Sequence, residues 1–345
     1  MTATETLAGG DAATPGGPYP GDGIRTRSSP GCYLCGAAGA SLYENLTDRL
    51  FGAPGVWNFR QCPNASCGLI WLDPAPIESD IRTAYRNYYT HAPQAHGSRR
   101  ATIEQAKRAL ILAYDCAWRL TPMYARRREM ELMCLGELPP GRVLEVGCGS
   151  GKQLATLAAR GWDVQGLDVD EEAAAQARKA YGIPVFCGPL HEAGFRDEEF
   201  DAVVTSHVIE HVYDPIGLLR ESRRVLKQGG RLVVITPNAN GWGHARFGRS
   251  WRGLEPPRHL FLFSRKTLEH VARACGFCDV KTSTTAARSE WTVGQSLRVE
   301  QGESVRKLGP LVTRAVRQAL LHAQALVAER LDPDAGDECI LRARR

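Results

Sequence analysis

The run Val143-Leu144-Glu145-Val146-Gly147-Cys148-Gly149-Ser150-Gly151 ends an apolar strand in an acidic residue and three alternating glycines. Glycine has no Cβ to forbid positive φ or block close approach, so such a loop turns sharply and lets a ligand meet the backbone. A second apolar run, Val164 to Leu167, ends in Asp168. That is where a nucleotide fold places the carboxylate that holds ribose hydroxyls. The pair implies a nucleoside-bearing cofactor.

A dinucleotide loop would need a third glycine three positions after the second, to bring a helix start to a pyrophosphate. Lys152 stands there. Glu145 would repel phosphates but suits a ligand carrying an ammonium and a sulfonium. On these residues the segment from about Arg142 to Thr285 resembles the class I S-adenosylmethionine-dependent methyltransferases, whose Glu/Asp-x-Gly-x-Gly-x-Gly loop binds the methionine end. The resemblance implies a doubly wound α/β fold with a seven-stranded, mostly parallel sheet. It implies that Glu145, Gly147, Cys148, Gly149 and Gly151 meet the amino acid moiety, and that Asp168, with Val169 beside it, takes the ribose. Relatives often place an Asp after the third strand for adenine. Here the stretch reads Cys187-Gly188-Pro189-Leu190, leaving Gly188 and Leu190 to do that work, with Ser206 at the next strand end.

The 345 residues carry a net charge of +5 and no apolar run long enough to cross a bilayer. Lys and Arg are scattered without an aromatic and basic stripe, so no nucleic acid partner is expected. Residues 1–28, rich in Gly, Pro, Thr and Ala, read as a disordered leader and not a signal peptide, which points to a cytoplasmic location.

Eleven cysteines in that compartment ask for metal. Cys32-x-x-Cys35 and Cys62-x-x-x-x-Cys67 give two thiolate pairs of the kind that close a structural tetrahedral zinc site. They define a small zinc-ribbon-like unit over residues 29–76, stapled by metal because it is too small to fold on its own core. Cys275 and Cys278 read as packing residues between a helix and a strand.

Residues 77–138 show helical spacing, with Ile111, Tyr114, Trp118 and Met130 on it, and form a linker or substrate cover. Pro139-Pro140-Gly141 marks the next boundary. Strands and helices then alternate over 139–345, which implies a parallel sheet covered on both faces.

Ser206-His207-Val208-Ile209-Glu210-His211 follows the fourth strand of that sheet and opens into its cleft. Methyl transfer to a hydroxyl needs positioning and a group to take the acceptor proton, and histidine suits the second task. If the segment is helical, His207 and His211 share a face with Glu210 adjoining. Relatives that methylate polyprenyl phenols carry a Glu-x-x-Glu-His version that holds a divalent metal in some cases, so the resemblance also raises a divalent ion at this site. The same letters match an inverted zinc peptidase motif, but they follow directly on a strand of a nucleotide-type sheet.

Residues 237–263 mix tryptophans, arginines, glycines and prolines in the manner of a lid. His259 is a further candidate base there, and Arg258 a partner for an acceptor carboxylate or phosphate. A helical insertion over 290–332 includes a stripe at Leu311, Ala315, Ala319, Leu320, Ala323 and Val327. That stripe suits core packing first, then a homodimer or membrane-surface contact through helix 305–331. The 237–263 pattern looks like that of methyltransferases of glycan and natural-product pathways, and this resemblance implies O-methylation of a sugar-like, glycan or secondary-metabolite acceptor. Carbon methylation of a nucleotide-linked keto sugar and a non-catalytic zinc- and cofactor-binding interaction protein are the alternatives.

Overall fold

The computed structural model describes residues 23–88, 122–302 and 311–345. Its N-terminal part opens with β1 (Thr26–Arg27) and continues through β2 (Ala40–Leu46), β3 (Trp57–Gln61), β4 (Ile70–Leu72) and β5 (Ala75–Pro76). β1 pairs antiparallel with β5, and β2, β3 and β4 form an antiparallel meander. A 3-10 helix, Glu78–Tyr85, follows. α1 (Pro122–Glu131) then leads into alternating elements: β6 (Arg142–Val146), α2 (Lys152–Ala158), β7 (Asp163–Asp168), α3 (Glu171–Tyr181), β8 (Val185–Cys187), β9 (Phe200–Ser206), α4 (Pro215–Val225) and β10 (Leu226–Pro237). The chain closes with α5 (Trp242–Phe247), β11 (Phe261–Leu262), α6 (Arg265–Ala274), β12 (Cys278–Thr285), α7 (Ser289–Gln301), α8 (Leu311–Leu331) and β13 (Glu338–Arg344).

The seven-stranded sheet has the order β12-β13-β10-β9-β6-β7-β8. β6 to β10 run parallel, and β13 lies antiparallel between β10 and β12. Its central strands are largely apolar because helices cover both faces. Local chemistry sets the helix ends. The Asp170 carboxylate accepts from the Glu172 and Ala173 amides at the start of α3, and Gly182 ends that helix at φ 67°. Asp214 caps α4, with Pro215 in its first turn.

The cysteine-bearing meander does not stand apart. β11, about 190 residues later in the chain, adds to its edge and completes a four-stranded sheet in the order β11-β4-β3-β2. Cys32, Leu34, Cys62, Cys67, Leu69 and Trp71 share one core with Phe263 and with Ile216 and Leu268 of α4 and α6. The Thr267 hydroxyl donates to the Cys67 carbonyl, and the Tyr33 hydroxyl to Asp214.

Several expectations change accordingly. Residues 1–22 of the expected leader lie outside the described residues, but its end is ordered, with Ile24 buried and β1 paired. Ile111, Tyr114 and Trp118 also lie outside them. The expected lid, 237–263, is a packed segment in which every residue from Trp251 to Leu260 is buried, because the meander sheet and α7 take up its aromatic and arginine side chains. On α8 the buried side is Leu321, His322, Ala325 and Glu329, whereas Ala319, Leu320, Ala323 and Val327 face outward. The helix turns its polar His322 inward, where Ser289 meets the ring at 2.7 Å.

Phe263 is fully buried where the two sheets meet. Phe263→Ala should cost about 3–5 kcal/mol of unfolding free energy, read as a lower urea midpoint in a single transition.

Candidate active site

β6 has β7 on one side and β9 on the other, so chain order reverses at the β6/β9 pair and a crevice opens at their carboxyl ends. The glycine loop leaves β6 there, and Ser206 and His207 leave β9 beside it. Gly147 adopts φ 73°, and a Cβ on it would stand 2.3 Å from Val208 Cγ2, so only glycine fits under the β9 loop. Gly149 at φ 50° has nothing within 4 Å of that position, which leaves its backbone open to a ligand. Cys148 turns its thiol into the core and leaves only its backbone to the loop.

Asp168 braces this loop. Its Oδ2 accepts from the Gly149 amide at 2.7 Å and its Oδ1 from the Asp170 amide at 2.9 Å. Glu145 lies deeper, 3% exposed, and its Oε2 has no hydrogen-bond partner. Burial, with the nearby Asp168 charge second, pushes the Glu145 carboxyl up to about 8. A buried carboxylate without a cation is an unstable arrangement that a cationic ligand relieves. The residues therefore fit the positively charged end of S-adenosylmethionine. On the far side of the crevice Gly188 donates its amide to the Asp168 carbonyl at 2.9 Å, Leu190 is buried and Val169 is exposed.

The histidine segment is a turn, not a helix, and helical geometry begins only at Pro215. His207 holds φ 57°, and its side chain, 41% exposed, lies between two carboxylates. Nε2 lies 2.8 Å from Glu338 and Nδ1 3.3 Å from Glu210. Burial alone would lower its pKa, but these two acids together raise it to about 9. His211 and His259 do not share the crevice with it. Their rings meet edge to face 4.6 Å apart behind the turn, and burial lowers both to about 3. His211 Nδ1 lies 2.9 Å from the Arg258 carbonyl and His259 Nδ1 2.7 Å from that of Gly253. A carbonyl only accepts, which assigns the ring proton to Nδ1 in each.

Glu210, His211 and His259 each bring one donor atom within 4.8 Å of the others. Glu210 Oε2 takes the Thr236 hydroxyl at 2.9 Å, whereas its buried Oε1 has no hydrogen-bond partner and lies 3.3 Å from His207 Nδ1. Arg258, expected to meet an acceptor, is fully buried and held by Asp48 at 2.8 Å, Glu255 at 2.9 Å and the Ala84 carbonyl at 2.7 Å.

The four cysteines of the meander converge, with all ligand atoms within 4.8 Å of one another. Cys32 and Cys67 sulfurs are 3.6 Å apart, and Cys35 and Cys62 sulfurs 3.4 Å. Zinc with Zn–S bonds of about 2.3 Å sets sulfur separations of about 3.8 Å, so the donor set fits that ion. Gly36 and Gly68 follow the two pairs at φ 73° and 60°, turning the chain back over the sulfurs.

Sequence reasoning missed Glu338, which opens β13 and takes Arg288 at 2.7 Å as well as His207. It also missed Tyr85, whose hydroxyl lies 3.1 Å from His211 Nδ1. Both are far from the histidines in sequence, and only the sheet order, with β10 alone between β13 and β9, brings Glu338 within reach of His207.

A family model described as a methyltransferase domain matches residues 124–282. A probable S-adenosylmethionine-dependent methyltransferase of Mycolicibacterium smegmatis is 39% identical over 115 residues, 33% of this chain and 45% of that protein. An uncharacterized protein of Methanocaldococcus jannaschii, MJ1123, is 35% identical over 149 residues, 43% of this chain and 70% of that protein. The match to the first curated relatives spans about a third to a half of their length. Among solved structures, a SAM dependent methyltransferase from Archaeoglobus fulgidus covers 68% of this chain and 99% of its own, at 19% identity and TM-score 0.44.

Proposed function

We propose that the chain is a class I S-adenosylmethionine-dependent methyltransferase that methylates a hydroxyl of a sugar-like, glycan or secondary-metabolite acceptor. One observation carries the reading: Glu145, buried and without a partner at Oε2, lies at the foot of a glycine loop that opens beside His207. Bound S-adenosylmethionine supplies an electrophilic methyl group on a sulfonium. Glu145 balances the positive charge of that ligand, and the Gly149 backbone receives its amino acid end. Asp168 offers two oxygens to the ribose hydroxyls, exchanging part of its hold on the loop amides for them. Gly188, Leu190, Val169 and Ser206 border the remaining space.

His207 is the proton acceptor in this reading. The looser of its two contacts, 3.3 Å to Glu210, is the one an acceptor hydroxyl replaces, while Glu338 at 2.8 Å orients the ring. The acceptor oxygen bonds to the methyl carbon as the carbon–sulfur bond breaks, and the acceptor proton passes to His207. Glu338 at Nε2 then stabilises the imidazolium. His211, His259 and Glu210 support the turn from behind. Cys32, Cys35, Cys62 and Cys67 hold a structural zinc, with no coordination position left for chemistry.

Titration of the full chain with S-adenosylmethionine at pH 7, in buffers of different ionisation heat, should release about one proton as Glu145 ionises against the cation. Affinity should therefore rise with pH up to about 8, and Glu145→Gln should abolish the proton release. Absence of any binding to S-adenosylhomocysteine at millimolar concentration would end the proposal.

Only neutral His207 can accept a proton, so kcat/KM should rise with pH toward about 9. Glu338→Gln removes one acid that raises this group and should move the limb to lower pH, which a merely structural Glu338 would not do. Metal analysis should find about one zinc per chain, lost together with the fold of the N-terminal sheet in a Cys32→Ser, Cys35→Ser double variant.

A further inference from the structure

Outside the crevice, a small cavity of about 30 Å³ lies where the turn after β2, the 249–258 segment and the end of α7 meet. Four arginines line it, Arg49, Arg249, Arg252 and Arg258, against two acids, Asp48 and Glu255. The charges divide by depth. Arg258 pairs with Asp48 and Glu255, and Arg252 pairs with Glu255, all of them buried or nearly so. Arg49 and Arg249 stand exposed at the rim. Arg49 donates to the Val299 carbonyl at 3.2 Å and Arg249 to the Glu44 carbonyl at 3.1 Å. Neither has a carboxylate partner among the described residues, so the rim carries two uncompensated positive charges above a neutral floor.

Two guanidinium groups with free edges match a tetrahedral dianion better than a single carboxylate, which one guanidinium satisfies by a bidentate pair. The floor also connects with the histidines: Glu255 Oε2 lies 3.3 Å from His259 Nε2, and His259 packs on His211. We propose that this cavity is a phosphate site, in which Arg49 and Arg249 hold a dianionic phosphate group. This site does not rest on the methyl-transfer reading. The anion-binding role that the sequence suggested for Arg258 passes to two arginines that the fold leaves unpaired by acids.

The test is calorimetric titration of the full chain with inorganic phosphate at fixed ionic strength, with sodium acetate as the carboxylate control. Saturable phosphate binding, weakened at least tenfold in an Arg49→Gln, Arg249→Gln double variant that still binds S-adenosylhomocysteine as the native chain does, is the expected result. Arg49→Lys with Arg249→Lys keeps the charge but loses the planar fork, and should fall between the two. No saturable phosphate binding, acetate binding equal to phosphate, or a double variant weakened less than threefold overturns the site. Failure of S-adenosylhomocysteine to bind the native chain would remove the methyl-transfer reading and leave the phosphate result to stand or fall by itself.

Discussion

The parallel pairing of β6 with β9 is the constraint on which the rest of the molecule depends. Val143 to Val146 lie in register with Ala202 to Thr205, so the glycine loop and the His207 turn leave the sheet side by side. The connections on either side of this pair lead toward opposite edges of the sheet, which opens a crevice between the two loops. Glu145, Asp168 and His207 reach one crevice for that reason alone, although they come from three separate strands.

The cofactor side was readable because its signals are local. A strand ending in Glu145 and three glycines, then a strand ending in Asp168, are patterns of a few residues whose backbone requirements show in their composition. The alternating strands and helices from Arg142 to Thr236 were legible for the same reason, since apolar runs bounded by glycine, proline and capping aspartates mark their own ends. The two cysteine pairs were visible as spacing, and the fold brings their sulfurs to metal-ligand distances.

What depends on distant contacts was not readable. His207 and His211, four apart in sequence, face different surroundings because the turn holds His207 at φ 57° and sends its ring toward Glu338. Nothing near residue 207 announces an acid 131 residues away. Arg258 looked available because its partners, Asp48, Ala84 and Glu255, come mostly from the other end of the chain. Residues 251–260 have the composition of an exposed loop, yet two remote elements enclose them. Composition reports what a residue can do, and only topology decides what it touches.

The short strand Phe261–Leu262 hydrogen-bonds to Ile70 and Trp71 while its chain neighbours anchor α6 of the larger sheet. Two backbone pairs thereby interlock pieces of the polypeptide that a gene map would draw as separate modules. Shuffling between relatives cannot exchange the N-terminal segment cleanly, because a foreign meander would need an edge that accepts this particular strand. A change of edge shape in β4 therefore calls for a matching change near residue 261, beside the histidines.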